Sequence, residues 1–317
     1  MSISAVELDL STRLLTGPTA LEWCDRSPRF FVVAFNLLQC QQHELEQICR
    51  RSVGLRRLSV KHTHSKLTST LPLPTAQALS TLRLLLHREG ALLLRDISPL
   101  SQCRALSSLV LHWVGGAAAG TDAPAIGGLG SLSVCANLRG VELKRLGAGV
   151  AEGLRKLAEA SSAAAWSIET LSLQSCNLTG DDLQPLAGLH VLRDLDLALN
   201  KQLMSADAIG KCSQLRSLSL TGCVMLDSVA ALAACVALDT LYLTGCKALC
   251  DVEPLMRCGA LRVLHLNKCS QLRDTSELGN CPSLELLNLR CSGAVVVPIR
   301  KGLRVSWDAD ARTVGVM

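Results

Sequence analysis

The sequence predicts an α/β repeat solenoid. One short strand per repeat would form a parallel concave sheet, with short helices or 3-10 turns on the convex side. Three observations carry this. A motif recurs: "LRSLSLTGC" from Leu215, "LDTLYLTGC" from Leu238, "LRVLHLNKC" from Leu261 and "LELLNLRCS" from Leu284 start 23 residues apart. The composition is 49% hydrophobic but only 3% aromatic over 317 residues, so a large core must be filled by Leu, Val, Ala and Cys. Most of the 15 cysteines fall in register with the motif.

Taken in order, residues 1–31 form an N-terminal cap, in which "AVELDLSTRLL" reads as a degenerate first strand. Residues 32–302 form an array of about ten to eleven repeats, starting at Val32, Leu55, Leu79, Leu106, Leu138, Ile168 and Leu192 and then at the four motifs above. Counting each start as zero, the apolar residues at +3 and +5 face the core, and those at +1, +2, +4 and +6 face outward. "DISPLSQCRAL" (Asp96–Leu106) echoes "DVEPLMRCGAL" (Asp251–Leu261), and both end one repeat and open the next. Residues 303–317 read as a C-terminal capping hairpin around Asp308–Asp310.

On the convex side, Asp96, Asp182, Asp251 and Asp274, with Ser205 and Ser228, stand where short turns need N-caps. "DTSE" (Asp274–Glu277) has the pattern of a capping box. The longer repeat from Leu138 holds Leu154, Leu157 and Ala158 at helical spacing, so a true helix is expected there. "GGAAAGTDAPAIGGLG" is a Gly/Ala loop without the strand–helix context of a phosphate-binding loop.

The template L-x-x-L-x-L-x-x-C/N resembles the leucine-rich-repeat family, whose repeats run to 20–29 residues. The cysteine-containing form is similar to the repeats of F-box proteins, and the 23-residue form to repeat proteins of kinetoplastid protists. The resemblance implies a horseshoe that binds protein partners on its concave face. It also implies that an Asn or Cys at +8 turns inward to bond neighbouring backbone.

Two cysteine columns emerge. Cys40, Cys176, Cys223, Cys246 and Cys269 occupy +8, where one repeat has Asn200 instead. Cys103, Cys135, Cys212, Cys235, Cys258 and Cys281 lie three residues before the next start. Columns of this kind are packing positions. No Cys-x-x-Cys pair exists, which argues against zinc, and an odd count argues for reduced thiols. Cys24, Cys49, Cys250 and Cys291 fall outside the columns, and Cys250 is expected to be exposed.

Charge is uneven. Residues 1–150 hold 16 Lys/Arg against 10 Asp/Glu, whereas residues 151–317 hold 16 against 17. A basic N-terminal half suits an acidic partner. The outward positions nominate Arg56, Arg57, Lys61, Arg83, His112, Trp113, Arg139, Lys144 and Arg145 as one partner-binding patch, with Trp113 as its anchor unless that ring packs under the Gly/Ala loop. Tyr242, His265, Asn267 and Arg290 form a second. No catalytic set emerges: His62, His64 and His87 lack a paired carboxylate, and Asp194 and Asp196 stand beside Arg193 and Arg216 as ion pairs. The expected protein is a non-enzymatic interaction scaffold without metal, cofactor or small-molecule substrate. The alternatives are a structural subunit of an axoneme or ribonucleoprotein, and the substrate-recognition subunit of a ubiquitin ligase, which residues 1–31 are too short to supply with an F-box. A nucleic-acid reader ranks behind both. Without a secretory leader or an apolar run of membrane length, the expected location is the cytoplasm, with the cilium or flagellum as the alternative.

Overall fold

The computed structural model describes residues 6–25, 30–61, 70, 73–86, 96–114, 126–147, 149–160, 167–294 and 296–307. They fall into two compact units, Met1–Ser167 and Ile168–Met317.

In the first unit the order is β1 (Val6–Thr16), α1 (Gly17–Asp25), β2 (Phe30–Gln39), α2 (Gln42–Arg51), β3 (Arg57–Lys61), β4 (Thr81–Leu86), β5 (Ser108–Trp113), β6 (Gly140–Lys144) and α3 (Gly149–Ala160). Each strand pairs in parallel with the next in chain order. The register stacks Phe35, Leu58, Leu82, Leu109 and Val141, the +3 residues of five successive repeats. All five are buried. Burying each such side chain stabilises by roughly 1.5–3 kcal/mol.

The second unit holds β7 (Thr170–Ser172), β8 (Asp194–Asp196), β9 (Ser217–Ser219), β10 (Thr240–Tyr242), β11 (Val263–His265), β12 (Leu286–Asn288) and β13 (Arg304–Ser306). They too are parallel and in chain order. Leu171, Leu195, Leu218, Leu241, Leu264 and Leu287 form the +3 row, all at 3% exposure or less. β13 extends the sheet in parallel; the expected hairpin around Asp308–Asp310 lies outside the described residues, as do His62, His64, His87 and residues 115–125 of the Gly/Ala loop.

Opposite the open face, a 23-residue repeat leaves room for a 3-10 turn and no more. The turns include Ser98–Gln102, Asp207–Lys211, Ala230–Ala234, Glu253–Arg257 and Ser276–Asn280. The helix expected around Leu154 is α3, and it buries Val150, Leu154 and Leu157. Gly153 lets it approach closely, since a Cβ there would stand 2.5 Å from Leu129 Cβ.

The caps differ from expectation. Asp96, Asp251 and Asp274 stand one residue before the cap position, and their Oδ1 atoms accept from Ser98 N, Glu253 N and Ser276 N at 2.8–2.9 Å. Asp182 lies inside its turn and bonds back to Thr179. "DTSE" closes no box, because Glu277 accepts instead from Asn280 Nδ2. Gln41 N donating to Glu44 Oε2 makes that reciprocal arm, at the start of α2.

After β6 and after each of β7 to β12 the +7 residue turns the chain out of the strand in the left-handed region: Arg145, Ser175, Leu199, Gly222, Gly245, Lys268 and Cys291 all have φ between 54° and 74°. Only glycine adopts this without cost. Replacing Lys268 with Gly is therefore expected to stabilise the chain by up to about 1 kcal/mol in denaturant unfolding, and an unchanged or lower midpoint would contradict the turn's strain.

Both cysteine columns are buried and free of disulfides. Cys40 and Cys176 donate within their own rung, to Gln41 O and Gln174 O, whereas the thiols of the regular rungs donate to carbonyls one rung back. Cys223, Cys246 and Cys269 reach Leu197, Leu220 and Leu243 O at 3.4, 3.2 and 3.1 Å. Cys212, Cys235 and Cys258 reach Leu186, Ile209 and Leu232 O at 3.4, 3.4 and 3.2 Å. Burial pushes Cys258 up to about 12 and Cys212 and Cys235 up to about 11. Cys250 is exposed, and so is Cys291, which sits at the +7 corner. Under native conditions two thiols should react fast with a maleimide, and Cys250→Ser with Cys291→Ser should abolish that phase. Rapid labelling of the columns would mean that the rungs open readily.

Candidate functional site

The open face of each sheet offers its side chains as a grid. In the first unit, Arg57, Thr81, Ser108 and Gly140 form one row. Ser59, Arg83, Val110 and Glu142 form the next, and Lys61, Leu85, His112 and Lys144 a third. Arg56, Arg139 and Arg145 flank the strands and are exposed. The register thus brings together Lys61, Arg83, His112 and Lys144.

Trp113 is not part of this surface. It is 5% exposed and points into the core. β5 runs to Trp113, so the inward alternation of Leu109 and Leu111 continues to that ring. The +7 residue leaves the strand as a corner in the second unit but not here.

Glu142 sits among the cations. It pairs with Lys144 Nζ, and its Oε1 lies 2.9 Å from His112 Nε2. That contact is off the line of a hydrogen bond, which leaves Nε2 buried without a partner. Burial lowers the His112 pKa against the pull of Glu142, and Lys144 and Arg83 lower it further. Burial works to raise Glu142, yet Lys144 and His112 hold it below the usual carboxylate range. Arg57 pairs with Asp9. Arg83 and Lys61 are exposed and form no ion pair among the described residues.

In the second unit the +4 row reads Ser172, Asp196, Ser219, Tyr242, His265, Asn288 and Ser306. Tyr242 and His265 stack, with centroids 4.9 Å apart and 19° between planes. Burial lowers the His265 pKa. Asn288 Nδ2 lies 3.4 Å from His265 Nδ1, and Thr244 Oγ1 donates to Asn267 Oδ1 at 2.7 Å. Arg290 N donates to Asn288 Oδ1 at 3.1 Å. These contacts link Tyr242, His265 and Asn288, while Asn267 bonds Thr244 and Arg290 joins only through its backbone N.

The expected pairing of Asp194 and Asp196 with Arg193 and Arg216 is absent. Arg193 reaches back to Glu169 at 3.4 Å, and Arg262 bridges Asp239 and Glu285 at 3.9 and 2.9 Å. Asp196 accepts instead from Ala198 N and Ser172 Oγ at 2.9 and 3.2 Å. The sequence reading missed that Ser219 separates Asp196 from Tyr242 in one row, although the common +4 position of all three residues carried that signal.

Among the described residues, no group of His, Cys, Asp or Glu is placed to hold a metal, and no helix is long and apolar enough to cross a membrane.

No protein family and no curated sequence matches the chain. Solved structures do. Rad7 in the yeast Rad7–Elc1 complex is 15% identical with a TM-score of 0.55, over 95% of this chain and 80% of that one. The functional domain of InlJ from Listeria monocytogenes, which includes a cysteine ladder, is 16% identical with a TM-score of 0.51, over 90% of this chain and 57% of that one. Internalin C2 from the same organism is 25% identical with a TM-score of 0.49, over 62% and 76%. Parallel strands in chain order, one per Leu-patterned repeat, and the first two of these likenesses agree: the chain is a leucine-rich-repeat solenoid.

Proposed function

We propose that the protein is a non-enzymatic interaction scaffold whose first unit binds an acidic protein segment on its open sheet face. The observation that carries this is charge. Across β3–β6 and the residues flanking each strand, seven cations stand against one carboxylate, Glu142. Arg83 lies centrally in that grid with no ion pair among the described residues. Such a face steers an acidic partner and fixes its register more than it adds affinity.

A labelled peptide of repeated Glu-Ser-Ser triplets tests it. The full chain should bind the peptide, more weakly as salt rises, and Arg83→Glu should cost about tenfold. Equal binding by wild type and variant overturns the reading. Preference for a uridine homopolymer, with a steeper salt dependence, would replace it by nucleic-acid binding. A second reading, a subunit of a stable assembly, is favoured by one finding: Rad7 was solved as a complex with Elc1. Co-purification in fixed stoichiometry through high salt would support it, and a free monomer would remove it.

A further inference from the structure

We infer that the second unit carries a separate site for a cationic side chain, an arginine of an extended basic segment on a protein partner, in the notch between Asp196 and Tyr242. The inference rests on the reading of the open face as the binding surface, but it uses other residues and the opposite charge.

The notch is built by register. Asp194 and Asp196 on β8, Ser217 and Ser219 on β9, and Thr240 and Tyr242 on β10 stand side by side. Between them the central strand presents only the small hydroxyl side chains of Ser217 and Ser219. It leaves a gap two strand spacings wide, about 9.6 Å, between a carboxylate wall and an aromatic wall. Tyr242 stacks on His265 at a centroid distance of 4.9 Å, nearly one strand spacing. His265 covers one face of the Tyr242 ring, and the other face lies on the Ser219 side, toward Asp196. Tyr242 is 37% exposed.

Three features select a guanidinium. A cation on a tyrosine face within about 6 Å of its centroid is attracted by the ring quadrupole, and Arg occupies such sites more often than Lys because it is planar and weakly hydrated. Asp196 is fixed by Ala198 N and Ser172 Oγ and keeps lone pairs for a further donor. Neither Asp194 nor Asp196 forms an ion pair among the described residues, since Arg193 is held by Glu169, and Arg216, on the notch's own rung, pairs with neither. The stacked His265, its pKa lowered by burial, adds no opposing charge at neutral pH.

The test uses the full chain and labelled peptides of repeated Arg-Ser-Ser or Lys-Ser-Ser triplets at moderate salt. The Arg peptide should bind several-fold more tightly than the Lys peptide. Tyr242→Ala and Asp196→Asn should each weaken it about fivefold, while the exposed Glu277→Gln leaves it unchanged. Thermal melts confirm that all variants are folded. Equal binding of both peptides, or an equal loss with Glu277→Gln, would show diffuse attraction and overturn the proposal. So would self-association lost in both Asp196→Asn and Arg83→Glu, which would make a second copy the occupant. Because the Glu-Ser-Ser peptide reads the first unit, a failure here leaves the acidic-partner reading standing, and the reverse also holds.

Discussion

Leu241→Asp is expected to unfold the rungs around β10 and to lower the melting temperature by roughly 10 °C. Leu241 is fully buried between Leu218 and Leu264, so a carboxylate there has neither water nor a cation to meet. Burying an unpaired charge is among the few mechanisms that cost about 4 kcal/mol or more. Each rung touches only its neighbours, so the loss is local first. Hydrogen exchange should rise in β9–β11 before it rises in β1–β3. Tyr242→Ala, one residue on and on the opposite face, should cost about 1 kcal/mol or less. If both variants melt alike, the inward and outward assignment is wrong.

Asn200→Ala should cost about 3–5 kcal/mol, more than any other single polar truncation in the second unit. Asn200 is fully buried. Its Oδ1 accepts from Cys176 N and Leu178 N, both at 3.0 Å, and its Nδ2 donates to Leu173 O and Leu197 O at 2.9 and 2.8 Å. Ala strands both N–H groups and the Leu173 carbonyl, whereas Leu197 O still accepts from Cys223. Asn200→Cys should restore about one bond and recover part of the loss. Urea unfolding of the three proteins decides it, and a variant with Ala as stable as one with Cys would refute the assignment.

That residue also shows how much was legible. The repeats set the register of every strand from β2 to β12, because leucine at +3 and +5 can be buried only one way. The choice between Asn and Cys at +8 was not legible, because it depends on the rung before. The repeat from Ile168 is 24 residues long, one more than its successor. In the rungs from Leu215, Leu238 and Leu261 the +8 N–H bonds its own chain, as Cys223 N does to Leu220 O. At Cys176 the +8 N–H bonds Asn200 Oδ1 of the next rung. The rows of the open face were legible, and the binding surfaces on them are proposals. His112, Lys144, Tyr242 and His265 lie where alternation puts them, whereas Trp113 failed because alternation cannot say where a strand ends. The pairing of Arg193 with Glu169, rather than with the adjacent Asp194, is a contact across rungs that no local pattern encodes.

The left-handed corner at +7 limits the strands of the second unit to three residues, about 10 Å. Its seven strands at about 4.8 Å spacing make a face nearly three times longer across the strands than along them. A bound segment must therefore cross the rungs, and its own repeat meets theirs as on a vernier scale. A polyproline-II segment advances about 9.3 Å per three-residue turn, and two rungs advance about 9.6 Å. Every third side chain of such a segment falls opposite every second rung, a reading frame of three for the binding proposed above.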